Sequence, residues 1–241
     1  MSDASLKSNT SSVLSAAFKY SIPVLLGYLA IGMAFGLLVS DAGYPVWLAL
    51  FMSFWMYAGA GQYIAIGLFA AGTTLPEICL IQLVVNARHI AYGLSMINRF
   101  PKKPYRPYLV FSMTDETFAL LSSLPAAGKE GLPPPGNDRD RFMLYVSMLN
   151  HSYWIAGSVI GAAIGAFIPF NMEGIGFALT ALFIVLMIEQ MLRVKKPGVF
   201  IISCLAALLA VFLLPASLSL LAGMALALLL SFLMTKEGAI L

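Results

Sequence analysis

From Pro197 to Thr235 the chain carries no charged side chain, and Pro215 splits that run into two apolar stretches, 198–214 and 216–234. A helix needs about 20 mostly apolar residues to cross the hydrocarbon of a bilayer. Six earlier segments have the same character: 21–40, 45–69, 75–98, 107–126, 142–168 and 175–192. In hydrocarbon the backbone must satisfy its own hydrogen bonds, which restricts apolar runs of this length to helices. The expected fold class is all-α, a polytopic transmembrane helical protein. Composition leaves little else: 60% of the 241 residues are hydrophobic and 10% are charged, with a mean hydropathy of +0.89. A soluble domain carries about 25% charge over its water-facing surface.

Prolines mark many segment boundaries (Pro45, Pro76, Pro107, Pro169, Pro197 and Pro215), where helix starts and loops place them. The basic residues lie scattered in short connections, so the net charge of +3 is a topological signal and excludes a nucleic-acid partner. They fall in the N-terminal tail (Lys7, Lys19), the loop from Arg99 to Arg106, the loop with Lys129, Arg139 and Arg141, the turn from Arg193 to Lys196, and at Lys236. The intervening connections carry only Asp41, Glu77 and Glu173, or no charge. Lys- and Arg-rich loops stay cytoplasmic. The expected layout is a cytoplasmic tail at 1–20, one transmembrane transport domain at 21–236 with a polar cytoplasmic loop at 127–141, and a C-terminal tail at 237–241. Both termini are then cytoplasmic. Residues 1–19 lack the apolar core and cleavage site of a secretory signal, so the first apolar segment is expected to remain as an anchor.

All basic places share one side of the membrane only if two segments enter and return without crossing. Segments 45–69 and 107–126 fit that role, leaving about six full crossings of membrane-spanning length. The first holds Gly59 and Gly61 near its middle, and glycine weakens a helix by about 1 kcal/mol per residue. The second holds Thr114, Asp115, Glu116 and Thr117, and two adjacent carboxylates are poor neighbours for lipid. Breaks at membrane depth are tolerated when protein or a water-filled cavity surrounds them. Each broken segment precedes a helix with Asn and His: Asn86 and His89 in one case, Asn150 and His151 in the other. Opposite entry of the two units gives a possible inverted repeat, with a substrate site between the halves near the midplane.

Arg88, Asp115 and Glu116 are the ionisable groups set deepest in apolar sequence. An isolated charge at mid-membrane costs about 2.5–3.5 kcal/mol on insertion scales, which favours pairing of Arg88 with one of the acids. Such a pair either locks two helices together or lines a polar cavity that binds a substrate or a proton. His89 and His151 either carry a proton or sit neutral in a hydrogen bond. Gln62, Asn86 and Asn150 complete the candidate substrate- or proton-binding set. The two histidines lack the further ligands of a recognisable metal site, and Cys79 and Cys204 read as buried thiols. Glu189 and Arg193, four apart, read as a pair at a helix end. Glycine series at Gly32 and Gly36, and at Gly157, Gly161 and Gly165, allow close helix approach within the chain or toward a partner. No catalytic motif or cofactor-binding loop stands out, so neither an enzyme nor a cofactor is expected.

Five stretches in order, "GYLAIGMAFG" (27–36), "AGAGQYIAIGLFAAG" (58–72), "VNARHIAYGLSM" (85–96), "TDETFAL" (114–120) and "LNHSYWIAGSVIGAAIG" (149–165), resemble the AzlC family of branched-chain amino acid exporters. The resemblance implies a bacterial inner-membrane carrier that exports leucine, isoleucine, valine and similar amino acids. It also implies proton-motive energy and a second, small membrane subunit of the AzlD type. A zwitterionic substrate fits the residues: Arg88 or the helix ends near Gly59–Gln62 for its carboxylate, Asp115 or Glu116 for its ammonium, and Phe35, Tyr57 and Trp154 as apolar wall. The alternatives are a passive pore for a small neutral solute and a non-transporting subunit of a transport complex.

Overall fold

The computed structural model describes residues 3–124, 137–167 and 197–214, together with isolated helical positions between 184 and 230. The described residues contain helices and no strand. The chain forms two compact units, Met1–Leu179 and Thr180–Leu241. The first contains α1 (Asp3–Asp41), α2 (Val46–Trp55), α3 (Gly59–Ala70), α4 (Leu75–Met96), α5 (Arg106–Phe111), α6 (Asp115–Ser122) and α7 (Asn137–Phe167). The second contains α8 (Pro197–Leu213).

The first unit is organised by two long helices, α1 and α7, whose backbones touch. A Cβ on Gly32 would meet the Gly157 Cα and the Trp154 carbonyl, at 3.2 Å each. A Cβ on Gly36 would run into the backbone of Ser158, Gly161 and Ala162, and one on Gly161 into the backbone of Met33. Both glycine series are therefore used against each other inside this chain. With no water to expel between apolar surfaces in a bilayer, such dispersion contact is the main attraction between helices. One end of this pair carries a core in which Val13 and Ala17 of α1 pack with Phe142, Met143 and Val146 of α7, and with Leu109 of α5 and Leu121 of α6.

Several large apolar side chains point outward. Leu26, Trp47, Leu83 and Leu94 are all more than half exposed, as is Phe212 in the second unit. A water-soluble monomer rarely shows so much apolar surface. Ser12–Asp41 of α1 and all of α4 are long and apolar enough to cross a membrane. At 31 residues α7 is longer than α4, and it carries Asn150, His151 and Ser152 in its middle.

Each described segment has its helix near the expected place, with three differences. Helix α1 starts at Asp3, so residues 3–20 continue the first apolar segment as helix, and Val13 and Ala17 are core residues. The loop expected to reach residue 141 ends by Asn137, where Asp138 and Asp140 occupy the first turn of α7; acids there are favoured by the helix dipole. Both broken segments are broken, but upstream of the expected positions: at Met56–Ala58 and at Ser112–Thr114. Gly59 and Gly61 are helical, and the residue with positive φ at the first break is Tyr57 (φ 42°). Gly61 serves close approach, since a Cβ there would fall 2.7 Å from Gln82 Oε1 and 2.8 Å from Asn86 Nδ2. Segment 175–192 almost entirely, most of 216–234, and the Glu189–Arg193 pair lie outside the described residues.

The loop after α4 is tied down by its arginines. Arg99 donates to the carbonyls of Ser122 (2.8 Å) and Leu124 (2.6 Å), closing the C-terminal end of α6, and Arg106 donates to Ile97 O. Unpaired carbonyls at a helix C-terminus attract such cations.

The α1–α7 contact predicts a position-dependent response to alanine. Gly161→Ala and Gly36→Ala should each destabilise the purified protein by about 1–3 kcal/mol, the usual cost of overpacking. Gly27→Ala, at a site with nothing within 4 Å, should stay within about 0.5 kcal/mol of wild type. Thermal unfolding in detergent separates the two classes; equal effects at Gly27 and Gly161 would contradict the backbone contact.

Candidate functional site

The site grows from one face of α4. Arg88 and Tyr92 are four apart and share that face, and both reach Asp115 in the first turn of α6. Arg88 Nη1 lies 2.7 Å from Asp115 Oδ2, and the Tyr92 hydroxyl donates to Asp115 Oδ1 at 2.6 Å. The side chains are 31% and 20% exposed, so the pair is neither spread on the surface nor sealed away. Arg88 Nε is buried without a hydrogen-bond partner. The stretch Thr114–Thr117 is a helix start: Thr114 is the N-cap, its Oγ1 accepting from Thr117 N at 3.3 Å, and both acids occupy the turn where the dipole favours negative charge.

Glu116 turns toward α1. The buried Tyr28 hydroxyl lies 2.7 Å from Glu116 Oε2 and 2.6 Å from Thr114 Oγ1. Thr114 Oγ1 lies 2.9 Å from Thr117 Oγ1, and Asn150 Nδ2 of α7 donates to Thr117 Oγ1 at 3.0 Å. Asn150 and Thr117 are fully buried, and Asn150 Oδ1 has no partner. Tyr57, also buried, sets its ring edge-on to Tyr28, centroids 6.5 Å apart, and its hydroxyl is unpartnered.

A second polar cluster surrounds the start of α3. The buried Gln62 accepts from Ala58 N (3.2 Å) and from Trp154 Nε1 (2.9 Å), and donates to Ser53 Oγ (3.2 Å). Ala58 is an N-cap without a side-chain acceptor, and Gln62, one turn downstream, accepts from the backbone N–H of Ala58 itself. From α4, Gln82 donates to Gly61 O at 2.8 Å and Asn86 donates to Gln82 at 2.9 Å, leaving Asn86 Oδ1 buried and unpartnered. Trp154 joins the two clusters: its indole holds Gln62, and its ring packs edge-on to Tyr28 (5.4 Å) and stacks with Phe35 (6.3 Å).

The expected residues thus divide. Arg88, Asp115, Glu116 and Asn150 gather at α6, directly or through Thr114, Thr117 and Tyr28. Gln62, Asn86 and Gly61 gather at α3, and Gly59 lies against the Trp154 ring. His89 is half-buried beside Arg88, its ring 6.2 Å from that of Tyr92. His151 closes the broken end of α2: Nε2 lies 3.1 Å from Ser53 O and Nδ1 3.2 Å from the Tyr108 hydroxyl, with the ring stacked on Tyr57 at 4.2 Å. An open apolar cleft of about 790 Å³ lies on the other side of His151, lined also by Phe54, Trp55, Phe111 and Met148.

Sequence reasoning missed Tyr28, Tyr92, Thr117, Ser53 and Gln82. The spacing of Tyr92 from Arg88, and of Gln82 from Asn86, was a usable signal, because residues four apart share a helix face. Tyr28 in "LLGYLAIG" offered only an isolated hydroxyl in apolar sequence.

Comparison with known proteins covers this whole site. Residues 23–168 match the family model described as AzlC protein. Over 178 residues the chain is 47% identical to an uncharacterized membrane protein of Helicobacter pylori, covering 73% of this chain and 75% of that one. It is 36% identical to the branched-chain amino acid transport protein AzlC of Bacillus subtilis, over 75% of this chain and 69% of the relative. It is 28% identical to the inner membrane protein YgaZ of Escherichia coli, over 73% and 72%. No solved structure matches the chain.

The Arg88–Asp115 geometry predicts strong energetic coupling. In a double-mutant cycle with Arg88→Met and Asp115→Leu, the interaction term should be roughly 1–3 kcal/mol, because either single change strands a half-buried charge. Additive unfolding free energies would place the two charges apart.

Proposed function

The chain belongs to the AzlC family, and on that premise we propose that it is a secondary carrier, not an enzyme, that exports branched-chain amino acids from the cytoplasm in exchange for protons. The observation that carries the reading is a guanidinium and two carboxylates gathered at the start of a half-helix within an apolar bundle, with one guanidinium N–H left over. A buried donor left unmet costs about 1–3 kcal/mol. Arg106 Nε is also unmet, and what sets Arg88 apart is that its spare donor stands beside two carboxylates. A substrate carboxylate on Arg88 Nε would meet it. Intramembrane ionisable residues of this kind line substrate or ion pathways in transporters.

In this reading Arg88 binds the α-carboxylate, and Asp115 and Glu116 offer negative charge to the ammonium. Phe35, Tyr57 and Trp154 face the aliphatic side chain. Glu116, held by the Tyr28 phenol and outside the Arg88–Asp115 ion pair, carries the proton. Gln62 and Asn86 hold the start of α3 in place, and His89 and Asn150 border the site. His151 keeps α2 terminated where the half-helices separate. The two broken helices act as re-entrant segments of an inverted repeat, in a cytoplasmic membrane with both termini inside. A small AzlD-type membrane subunit completes the carrier. Since both glycine series are occupied within the chain, that subunit docks on another face. The likeness to the branched-chain amino acid transport protein of Bacillus subtilis supports the substrate class.

Leucine and methionine efflux from preloaded cells tests this, with the chain expressed alone and beside its small membrane partner. Uphill efflux that collapses with an uncoupler is expected of a carrier, whereas downhill flux insensitive to the uncoupler would mean a passive pore. Arg88→Ala should lower efflux by at least about 100-fold in protein that still inserts, the loss of roughly 2.7 kcal/mol of charge-assisted binding. Undiminished efflux from that variant removes Arg88 from the substrate site. Glu116→Gln should abolish the dependence of efflux on external pH.

A further inference from the structure

The hydroxyl groups between Glu116 and Asn150 form a chain of four links: Glu116 to Tyr28 (2.7 Å), Tyr28 to Thr114 (2.6 Å), Thr114 to Thr117 (2.9 Å) and Thr117 to Asn150 (3.0 Å). The buried Tyr57 hydroxyl lies beside Tyr28, Thr114 and Thr117 but makes no hydrogen bond to them. It joins α6, α1 and α7. Tyr28, Thr114 and Thr117 each own one proton, so three hydroxyl protons serve four links. The fourth proton must come from one end of the chain or the other.

Two complete arrangements exist. With Glu116 ionised, Tyr28 donates to Glu116, Thr114 to Tyr28, Thr117 to Thr114, and Asn150 Nδ2 fills the last link. The amide orientation, with Asn150 Nδ2 toward Thr117 and Oδ1 unpartnered, fits this arrangement, whereas the hydroxyl directions Tyr28 to Thr114 and Thr114 to Thr117 fit the other; hydroxyl protons rotate, and the heavy-atom distances serve both. With Glu116 protonated, its own proton fills the first link and each hydroxyl turns the other way. Tyr28 then donates to Thr114, Thr114 to Thr117, and Thr117 needs an acceptor on Asn150, so the amide must turn over. Thr114 Oγ1 accepts its cap bond from Thr117 N in both states, and no lone pair is used twice. Any mixed arrangement leaves one link with two protons or none, which is costly at fully buried positions.

We propose that this chain couples the proton to the substrate: the ionisation state of Glu116 sets the orientation of the Asn150 amide, and Asn150 is a specificity residue for the substrate ammonium. When Glu116 is ionised the free atom of Asn150 is an acceptor, which suits an ammonium. When Glu116 is protonated the free atom is an N–H donor, which opposes one. Proton and substrate therefore oppose each other through the chain, in addition to any direct competition at Glu116, as an exchanger requires. By reciprocity the substrate weakens proton binding by the same factor. The proposal rests on Glu116 being the proton carrier. The other titratable or charged groups around Glu116 are Asp115 beside it, Arg88 and His89 on α4, Tyr28 on α1, Tyr57 at the first break and His151 on α7. None of these except Tyr28 is a link in the chain.

The test is leucine binding by the purified full-length chain with its small partner, measured by isothermal calorimetry from mildly acid to mildly alkaline pH. Wild type should lose roughly tenfold or more in affinity on acidification, within the usual range of coupling between two sites. Thr117→Val, which keeps the shape and removes the last hydroxyl of the chain, should still bind leucine but show less than about twofold dependence on pH. Thr117→Ser restores the hydroxyl and should behave as wild type. Should Thr117→Val not fold, Tyr28→Phe cuts the chain at another link and should give the same loss of pH dependence. If the cut variants keep the wild-type pH dependence while Glu116→Gln loses it, the hydroxyl chain is not the coupling element and the proton-carrier reading stands. If Glu116→Gln itself keeps the dependence, the carrier reading fails. Thr117→Ser behaving like Thr117→Val would assign the effect to packing and overturn the proposal.

Discussion

Backbone contact between α1 and α7 sets everything else in the first unit. Four glycines let the two helix axes approach until carbonyls and Cα atoms touch, and that contact admits only one register. The register places Tyr28, one turn before Gly32, against Trp154, one turn before Ser158. The same register brings Asn150 to Thr117 and Tyr28 to Glu116. A slide of one residue along either helix would turn these side chains by roughly 100° and leave buried hydroxyls unpaired. Packing of backbone on backbone thus determines which polar side chains meet.

The two broken helices pose the same physical problem and solve it alike. A helix that starts inside the bundle exposes N–H groups and loses the hydrogen bonds of one turn. At α6 a threonine N-cap and two acids answer this; at α3, where alanine sits at the N-cap, the side chain of Gln62 instead takes the N–H of that alanine. In each case the next long helix sends an asparagine toward the half-helix start, Asn150 directly to Thr117 and Asn86 through Gln82 to Gly61. Each asparagine keeps one amide oxygen unpartnered. The difference lies in charge: only the α6 start carries ionised groups, and only it is answered by an arginine.

Much of this was legible in the sequence because it follows from composition and spacing. Apolar runs of membrane length fix helices, and among the described residues the helices lie where those runs do. The pairing of Arg88 with an acid follows from the cost of burying either alone, and Asp115 is that acid. The exact break points were not legible. Glycine weakens a helix and also lets neighbours approach, and Gly61 does the second; the positive φ falls on Tyr57, where local preference gives no warning. Tyr28 and Thr117 escaped notice because their partners lie 86 and 33 residues away, and a hydroxyl in apolar sequence does not announce its acceptor. His151 shows the converse: its residue type suggested proton chemistry, and its surroundings hold it between a backbone carbonyl and a phenol at a helix end.

The ion pair is best understood through what it omits. A carboxylate and a guanidinium left to themselves form two parallel hydrogen bonds. Asp115 gives one oxygen to Arg88 and the other to Tyr92. Tyr92 thereby prevents the closed arrangement and keeps Nε of Arg88 in reserve. A second carboxylate arriving at that edge finds a cation already oriented by Asp115 and not yet satisfied by it, so the guanidinium need not reorganise. The same carboxylate brings a further negative charge to a place that holds two, which makes it easier for one of the acids to take up a proton or an ammonium. In the proposed binding mode substrate and counter-charge meet within the same few ångströms, with Tyr92 occupying the second oxygen of Asp115.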